Sequence, residues 1–271
     1  MSKRIFITGG ASGLGKAMAH KYAKEGYKIC VGDIDDEAGN ALVSDLKKDY
    51  DVEGFYLNCN VRLEDSLQKV ADQLLVEWGG VDVVINNAGV AASARIEDGS
   101  MEDWEWILDI NLLGVVRGCK VFTPIFKKQK SGYFINIASM AGIVYLPMMS
   151  SYNASKAAVV ALSETLKMEL QDDNIGVTVV CPSFFKTNIG EAMRSSDERK
   201  KVLNKLAERS PISAEDVADM VFDGHQKNEF HVVTHKKGRT AFWMKKILPI
   251  EMFHKQLYKQ INKYKKVKKE E

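Results

Sequence analysis

Residues 4–15 read RIFITGGASGLG, a short apolar run followed at once by a glycine cluster. The apolar run predicts a buried β-strand, and the residues after Gly13 predict a helix. Glycines let the chain turn sharply and let another molecule approach the backbone, and the free N–H groups at a helix start attract phosphate. The stretch therefore predicts a strand, a tight turn and a helix whose N-terminus accepts a pyrophosphate.

The same alternation of apolar runs and amphipathic stretches continues to about residue 235 of the 271-residue chain. Strands are predicted at Arg4–Thr8, Lys28–Asp33, Gly54–Asn58, Val81–Asn86, Tyr133–Ser139, Gly176–Cys181 and Phe230–Thr234. Helices are predicted at 13–25, 36–49, 63–78, 101–129, 152–172 and 213–227. Apolar strands that alternate with helices are typical of a parallel sheet covered on both faces. The expected class is α/β, a doubly wound Rossmann fold with a seven-stranded parallel sheet and a C-terminal helical tail.

Domain organisation follows from the same alternation. No linker rich in Pro, Gly or Ser divides residues 1–235, so one domain is expected there, and residues 236–271 form a basic extension. Residues 183–210 interrupt the alternation with apolar side chains followed by a charged run. They come after a strand, at the sheet edge where open α/β proteins bind ligands, which predicts a lid.

Composition excludes several classes of protein. The four cysteines, Cys30, Cys59, Cys119 and Cys181, are scattered without metal-ligand spacing, and the histidines form no cluster. Buried free thiols and no metal site are therefore expected. No apolar segment of signal-peptide or membrane-spanning length is present, so a soluble, cytoplasmic protein without a nucleic-acid partner is expected.

The stretch Tyr152-Asn153-Ala154-Ser155-Lys156 places a phenol and an ammonium on one face of a predicted helix. Alone this pair is a weak signal, because a surface pair has the same spacing. The pair is preceded in order by the glycine motif, by Asn86-Asn87-Ala88-Gly89, by Asn111 and by Ser139. This set resembles the short-chain dehydrogenase/reductase family, over roughly residues 4–235.

The resemblance implies a catalytic set. In this family Tyr152 would be the general acid/base, Lys156 would lower its pKa and bind the nicotinamide ribose, and Ser139 would hydrogen-bond the substrate oxygen. Asn111 would hold a water molecule that relays protons to Lys156. A free phenol has a pKa near 10, so a drop of about 3 units requires roughly 4 kcal/mol of differential stabilisation, which nearby positive charge can supply.

The resemblance also implies a set of residues that contact the cofactor. They are Gly9, Ser12, Gly13, Leu14, Gly15, Asp33, Asn60, Val61, Asn87, Ala88, Gly89, Tyr152, Lys156, Pro182 and Thr187. One of these positions and one beside them depart from the family pattern. Asn60 stands where an Asp is usual, and Ser183 follows Pro182 where a Gly is usual.

Asp33 ends the second predicted strand and indicates which dinucleotide binds. Its carboxylate can accept hydrogen bonds from both adenosine ribose hydroxyls and would repel a 2′-phosphate, although it could also be a helix cap. Ser12 and Ile34 stand where NADP-preferring relatives usually place a basic residue. NAD is therefore expected, with NADP as the second candidate.

Two functions remain open at this point. The first is an oxidoreductase that interconverts a secondary alcohol and a ketone, and the second is a non-catalytic nucleotide sensor or scaffold of the same fold. Apolar residues at 140–149 and in the lid (Phe184, Phe185, Ile189 and Met193) favour a hydrophobic substrate, with steroid-, retinoid- or lipid-like molecules as examples. By resemblance, a homodimer would form through helices 101–129 and 152–172.

The tail carries a basic amphipathic pattern. From Lys236 to Glu271 there are eleven lysines and one arginine against three glutamates. After Pro249, apolar residues recur at helical steps at Ile250, Phe253, Leu257, Ile261 and Tyr264, with Lys255, Lys259 and Lys263 nearby. Upstream, Phe242, Trp243, Met244, Ile247 and Leu248 surround Lys245 and Lys246. Packing on the protein and peripheral contact with a membrane are both open.

Overall fold

The sheet of the protein is fully parallel and contains seven strands. A computed structural model describes residues 2–186, 190 and 193–267, with side chains described to residue 260. The strands of the large sheet are β1 (Arg4–Thr8), β2 (Lys28–Asp33), β3 (Gly54–Asn58), β4 (Val83–Asn86), β6 (Gly132–Ile137), β7 (Ile175–Val180) and β9 (His231–Val232). Their order across the sheet is β3-β2-β1-β4-β6-β7-β9, which confirms the predicted fold class. The last strand is shorter than the predicted 230–234.

Ten α-helices connect and extend these strands within the described residues. They are α1 (Gly13–Lys24), α2 (Asp36–Tyr50), α3 (Glu64–Trp78), α4 (Met101–Leu108), α5 (Gly114–Gln129), α6 (Ser150–Glu169), α7 (Asp197–Glu208), α8 (Ala214–Gln226), α9 (Lys236–Ile247) and α10 (Ile250–Val267). The predicted helix 101–129 is two α-helices joined by a π-helical turn at Asp109–Leu113. Such a turn inserts one extra residue into a helix, and turns of this kind are frequent at functional sites.

The core lies on both faces of the sheet, as apolar strands require. On β1, Ile5 and Ile7 face one layer, with α1, α2 and α8, while Phe6 faces the other, with α3, α5 and α6. This division follows from the alternation of side chains along a strand. All four cysteines are buried and free, as predicted.

The lid is anchored to the body of the domain. A second, two-stranded parallel sheet pairs β5 (Ala92–Ser93) with β8 (Arg194–Ser195). The Arg194 guanidinium donates to Asp103 Oδ1 at 2.9 Å and lies 4.2 Å from the Trp106 ring. The predicted lid residue Ile189 and the predicted cofactor residue Thr187 lie outside the described residues.

The tail consists of two helices, and one face of it packs on the domain. Phe242 of α9 and Phe253 of α10 are buried. A Cβ on Gly238 would lie 3.2 Å from the Met140 side chain, so α9 sits directly against the segment that follows Ser139. Within the part of the chain that the structure describes, no helix has the length and apolar character needed to span a bilayer.

Candidate active site

The predicted site residues converge at the carboxyl ends of the parallel strands. Strand order reverses between β1 and β4, since the chain leaves β1 toward β2 on one side and returns to β4 on the other. In open α/β sheets the crevice at such a point binds the ligand. The glycine turn follows β1, Asp33 ends β2, residues 87–89 follow β4, and Ser139 and Pro182 follow β6 and β7.

The glycine turn allows no side chain at two of its positions. A Cβ on Gly15 would lie 2.1 Å from the carbonyl oxygen of Gly9, and one on Gly9 would lie 2.8 Å from Ala88 Cα. Gly9 and Gly13 also have positive φ angles of 60° and 51°. Ser12 precedes α1 without a side-chain capping bond, and Leu14 is buried. The N–H groups at the start of α1 therefore have no capping side chain, and the glycines leave their approach open.

Thr8 and Asn87 tie this turn to the end of β4. Thr8 Oγ1 accepts from the backbone N–H of Asn87 at 2.9 Å and of Ala88 at 3.1 Å. Asn87 Nδ2 donates to the carbonyls of Thr8 and Gly9 at 3.0 and 2.8 Å. Sequence reasoning gave no role to Thr8, although it opens the glycine motif.

Asp33 points at the glycine turn and does not cap a helix. Its Oδ2 accepts from the N–H of Ala11 at 2.9 Å, and its Oδ1 accepts from the N–H of Ile34 at 2.7 Å. The cap of α2 is Asp35, which accepts from Ala38 N–H at 3.0 Å. Asp33 is therefore not the cap of α2, and its carboxylate bonds the glycine turn instead.

Asn60 and Val61 follow β3, where the adenine was expected. Asn60 Oδ1 accepts from the N–H of Arg62 at 3.0 Å and so closes a local turn. That bond leaves one lone pair of this oxygen for a ligand. Val61 is buried against Gly114 of α5, and its carbonyl accepts from Arg117.

Lys156 is held inside the site by the sheet. Its side chain is only 3% exposed, and Nζ donates to the carbonyl of Ile137 at 2.9 Å. Burial disfavours the charged ammonium and lowers the pKa of Lys156 to about 8. A Cβ on Gly89 would lie 3.4 Å from this Nζ and 3.3 Å from Asn111 Oδ1, so Gly89 lies against both groups.

Tyr152 lies beside Lys156 and Ser139. Lys156 Nζ is 6.0 Å from the centre of the phenol ring. Burial raises the pKa of Tyr152, and a hydrogen bond with the Ser139 side chain opposes that rise. Burial thus dominates in this arrangement, and the lowering of the Tyr152 pKa by Lys156 that the resemblance implies stays a prediction.

Asn111 is fully buried within the π-helical turn. Its Oδ1 accepts from the N–H of Val90 at 2.8 Å, and its Nδ2 donates to the Val90 carbonyl at 2.9 Å and to Ser155 Oγ at 3.2 Å. Ser155 in turn donates to the carbonyl of Tyr152 at 2.8 Å. Ser155 was missed as a site residue even though it lies within the Tyr–Lys motif.

Comparison with known proteins decides the family. The family model described as short chain dehydrogenase matches residues 3–198. This chain belongs to the short-chain dehydrogenase family. The predicted resemblance is thus confirmed.

Two relatives and one solved structure are similar over most of the chain. A "CLA biosynthesis dehydrogenase/reductase" of Lactiplantibacillus plantarum is 33% identical over 262 residues, which cover 86% of this chain and 88% of that protein. The 3-oxoacyl-[acyl-carrier-protein] reductase FabG of Thermotoga maritima is 32% identical over 220 residues, covering 81% and 88%. A short chain dehydrogenase/reductase from Burkholderia phymatum, crystallised in complex with NAD, superposes with a TM-score of 0.85 at 32% identity, covering 90% and 92%.

Pro182 and Ser183 of this short-chain dehydrogenase are fixed by neighbours far along the chain. The Pro182 carbonyl accepts from Met140 N–H at 2.7 Å, and the Ser183 N–H donates to His235 Nδ1 at 3.2 Å. His235 Nε2 lies 3.3 Å from Ser210 Oγ, and burial lowers the pKa of His235. His235 was missed because nothing in the sequence places it beside Ser183.

The loop after Ser139, residues 143–149, is held by side chains that donate to its carbonyls. Asn153 Nδ2 bonds the carbonyl of Leu146 at 2.8 Å, and Ser93 Oγ bonds that of Met148 at 2.9 Å. Lys245 Nζ of α9 donates to a third carbonyl of the loop, that of Ile143. We call this segment the substrate loop. Its apolar residues divide between the core (Ile143 and Met149) and half-buried positions (Val144, Leu146 and Met148).

Metal binding has no geometric support in the described part of the chain. No group of three or more His, Cys, Asp or Glu side chains is arranged there to hold an ion. The expectation of a site without metal stays a prediction.

Proposed function

We propose that this short-chain dehydrogenase is an NAD-dependent oxidoreductase that interconverts a hydrophobic secondary alcohol and its ketone. The observation that carries the proposal is the convergence of Ser139, Tyr152 and the buried Lys156 at the carboxyl end of β6. A phenol beside a hydroxyl, with an ammonium held nearby, supplies a proton carrier and a hydrogen-bond donor for a reacting oxygen.

The residues of the chain fit a nicotinamide dinucleotide. The glycine turn leaves the N-terminus of α1 open, and a Cβ at Gly15 would collide with the Gly9 carbonyl at 2.1 Å. Gly9, Gly13 and Gly15 would hold the pyrophosphate, Asp33 the adenosine ribose, and Lys156 the nicotinamide ribose. Asp33 favours NAD over NADP, since its carboxylate points into the turn and would repel a 2′-phosphate. Bound in its oxidised form, the dinucleotide would supply the hydride acceptor and a positive ring charge.

The proton chemistry belongs to the chain. In alcohol oxidation the phenolate of Tyr152 accepts the hydroxyl proton, and in ketone reduction the phenol donates it. The Ser139 hydroxyl donates a hydrogen bond to the substrate oxygen in both directions. Lys156, with a pKa of about 8, remains largely charged at neutral pH and favours the phenolate electrostatically. Asn111, fixed by Val90, would orient a water molecule toward Lys156.

A hydrophobic substrate is supported by the residues that remain partly exposed after the core is accounted for. Val144, Leu146 and Met148 of the substrate loop are half-buried, as is Phe184 of the lid. These side chains are apolar, and two cationic side chains that contact the loop are already bonded, Arg199 to Ser93 and Lys245 to the Ile143 carbonyl. Steroid-, retinoid- or lipid-like alcohols are the classes to test first.

The test is a panel of hydrophobic secondary alcohols and ketones, read by nicotinamide absorbance with NAD and NADP in parallel. We expect turnover with NAD and a rise in kcat/KM with substrate apolar area. A preference for NADP would contradict the assignment of Asp33 and would point to Lys16 as a phosphate ligand. Dinucleotide binding without turnover of any member would favour the second candidate, a nucleotide sensor or scaffold.

We also propose that residues 1–235 form the catalytic domain and that it dimerises through α4–α5 and α6. Met101, Leu113 and Met168 on these helices are 69%, 43% and 73% exposed, which suits a further apolar contact. Light scattering at micromolar concentration checks this, and a monomer there would contradict it.

A further inference from the structure

One face of α9 is apolar, basic and exposed. Trp243 and Ile247 lie one helical turn apart and are 57% and 75% exposed, and Ile250, the first residue of α10, follows them at 48%. Lys236, Arg239 and Lys246 lie on the same side, because they recur with Trp243 at three- and four-residue steps along the helix. We call these six residues the α9 outer face.

The opposite face of α9 is fixed on the domain. Phe242 is 8% exposed within the core, and Gly238 lies against Met140. Lys245 bonds the Ile143 carbonyl and lies 3.8 Å from the Tyr145 ring. The α9 outer face therefore points away from the domain, and α9 packs on the core through its other face.

Charge decides between the surfaces that could cover this face. Lys236 to Glu271 carry a surplus of nine positive charges, in a chain whose total is +2. A second copy docking through the same face would bring the same surplus against it, whereas an anionic bilayer attracts it. Lys246 Nζ lies 4.4 Å from the centre of the Phe242 ring and 5.7 Å from that of the Trp243 ring, so its ammonium lies beside the exposed aromatic surface of α9.

We propose that the α9 outer face docks peripherally on an anionic lipid bilayer. Trp243, Ile247 and Ile250 enter the boundary between headgroups and acyl chains, and the three cationic side chains lie at the level of the phosphates. Because α9 contacts the substrate loop through its opposite face, docking places that loop about one helix diameter from the membrane surface. The benefit for an apolar substrate rests on the proposed function, but docking itself does not.

Vesicle sedimentation of the full chain tests the proposal. We expect binding to vesicles of phosphatidylcholine with phosphatidylserine at low salt, weak binding to phosphatidylcholine alone, and release at high salt. Trp243→Ala/Ile247→Ala should lower the partition coefficient by about tenfold or more. The matched control is Leu75→Ala/Val76→Ala, an exposed apolar pair on α3, which should bind like the parent.

The charge contribution is tested separately. Lys236→Gln/Arg239→Gln/Lys246→Gln should remove most of the salt sensitivity, while Lys47→Gln/Lys48→Gln/Lys69→Gln, on α2 and α3, should not. If circular dichroism shows that the apolar variant does not fold, the comparison of these charge variants tests the proposal instead. Parent protein left in the supernatant with anionic vesicles at low salt would overturn the proposal. So would a change of oligomeric state, in light scattering, on loss of Trp243 and Ile247.

Discussion

The two sides of the site are held by different kinds of contact. On the glycine-turn side, backbone packs on backbone, so that a Cβ at Gly15 would lie 2.1 Å from the Gly9 carbonyl. On the substrate-loop side, side chains from distant segments donate to loop carbonyls: Ser93 to Met148, 55 residues away, and Lys245 to Ile143, 102 residues away. Close backbone packing requires glycine at fixed positions, and this spacing is visible in the sequence. A backbone carbonyl can accept a hydrogen bond whatever the residue type, so these bonds leave no pattern in the loop sequence. The glycine-turn side can therefore be predicted from the sequence, and the substrate-loop side cannot.

The largest effect should come from Tyr152→Phe, which separates the two sides. We expect turnover to fall by about 100-fold or more, because the proton carrier is lost. Dinucleotide affinity should stay nearly unchanged, since the ring remains and the glycine turn is untouched. Steady-state kinetics and a fluorescence titration measure the two quantities. Tyr145→Phe, an exposed loop tyrosine under Lys245, is the control and should keep its activity.

A single added methyl group should disrupt the glycine-turn side. Gly15→Ala is expected to lower the free energy of unfolding by roughly 3 kcal/mol and to abolish dinucleotide binding, because the clash is with backbone. Gly79→Ala is the control: its φ is +70° and no atom lies within 4 Å of the added Cβ. That variant should lose only about 1 kcal/mol of backbone strain. Urea denaturation distinguishes them, and equal losses would contradict the steric argument.

Acid should weaken the contact between α1, which starts at the glycine turn, and α8. His225 Nδ1 lies 3.1 Å from Tyr22 Oη, and burial, with a smaller contribution from Lys3, lowers its pKa from 6.5 to about 4. The folded state thus binds fewer protons than the unfolded state between these values, so stability is full above pH 6.5 and falls toward pH 4. The loss should be roughly 3 kcal/mol.

Unfolding midpoints across this pH range measure that loss. His225→Gln should flatten the profile, while His254→Gln, at an exposed position on α10, should leave it unchanged. If the unfolding midpoint of the parent protein does not depend on pH in this range, His225 does not weaken the fold in acid.

Cofactor choice should respond to Asp33 alone. Asp33→Asn is expected to shift the ratio of kcat/KM with NAD to that with NADP by about tenfold toward NADP, through loss of the charge that repels a 2′-phosphate. Asp35→Asn, at the cap of α2, serves as the control and should leave the ratio unchanged. An unchanged ratio in the Asp33 variant would show that another group selects the cofactor.

The smallest effect should come from the substrate-loop side. Lys245→Met removes the donor to the Ile143 carbonyl and the cation over Tyr145. We expect kcat/KM to fall by about threefold, mostly through KM, because the loop loosens while Tyr152 and Lys156 stay in place. Lys237→Met, at an exposed position on the same helix, is the comparison variant. A fall in kcat instead would mean that the loop positions the proton chemistry.

The sequence by itself determined the doubly wound parallel sheet, and its ordered motifs predicted the family and the site of the glycines, Asp33, Ser139, Tyr152 and Lys156. The sheet follows from local periodicity, and the site follows from the family resemblance that those motifs carry.

Only the tertiary structure decided the electrostatics and the walls of the site. Burial, a property of the whole fold, raises the pKa of Tyr152 and lowers that of Lys156, and the Ile137 carbonyl accepts a hydrogen bond from the Lys156 ammonium. The π-helical turn directs Asn111 at Val90, and α9 closes on the substrate loop. Contacts between residues far apart in the chain depend on packing free energy summed over the core, and no short pattern in the sequence encodes them.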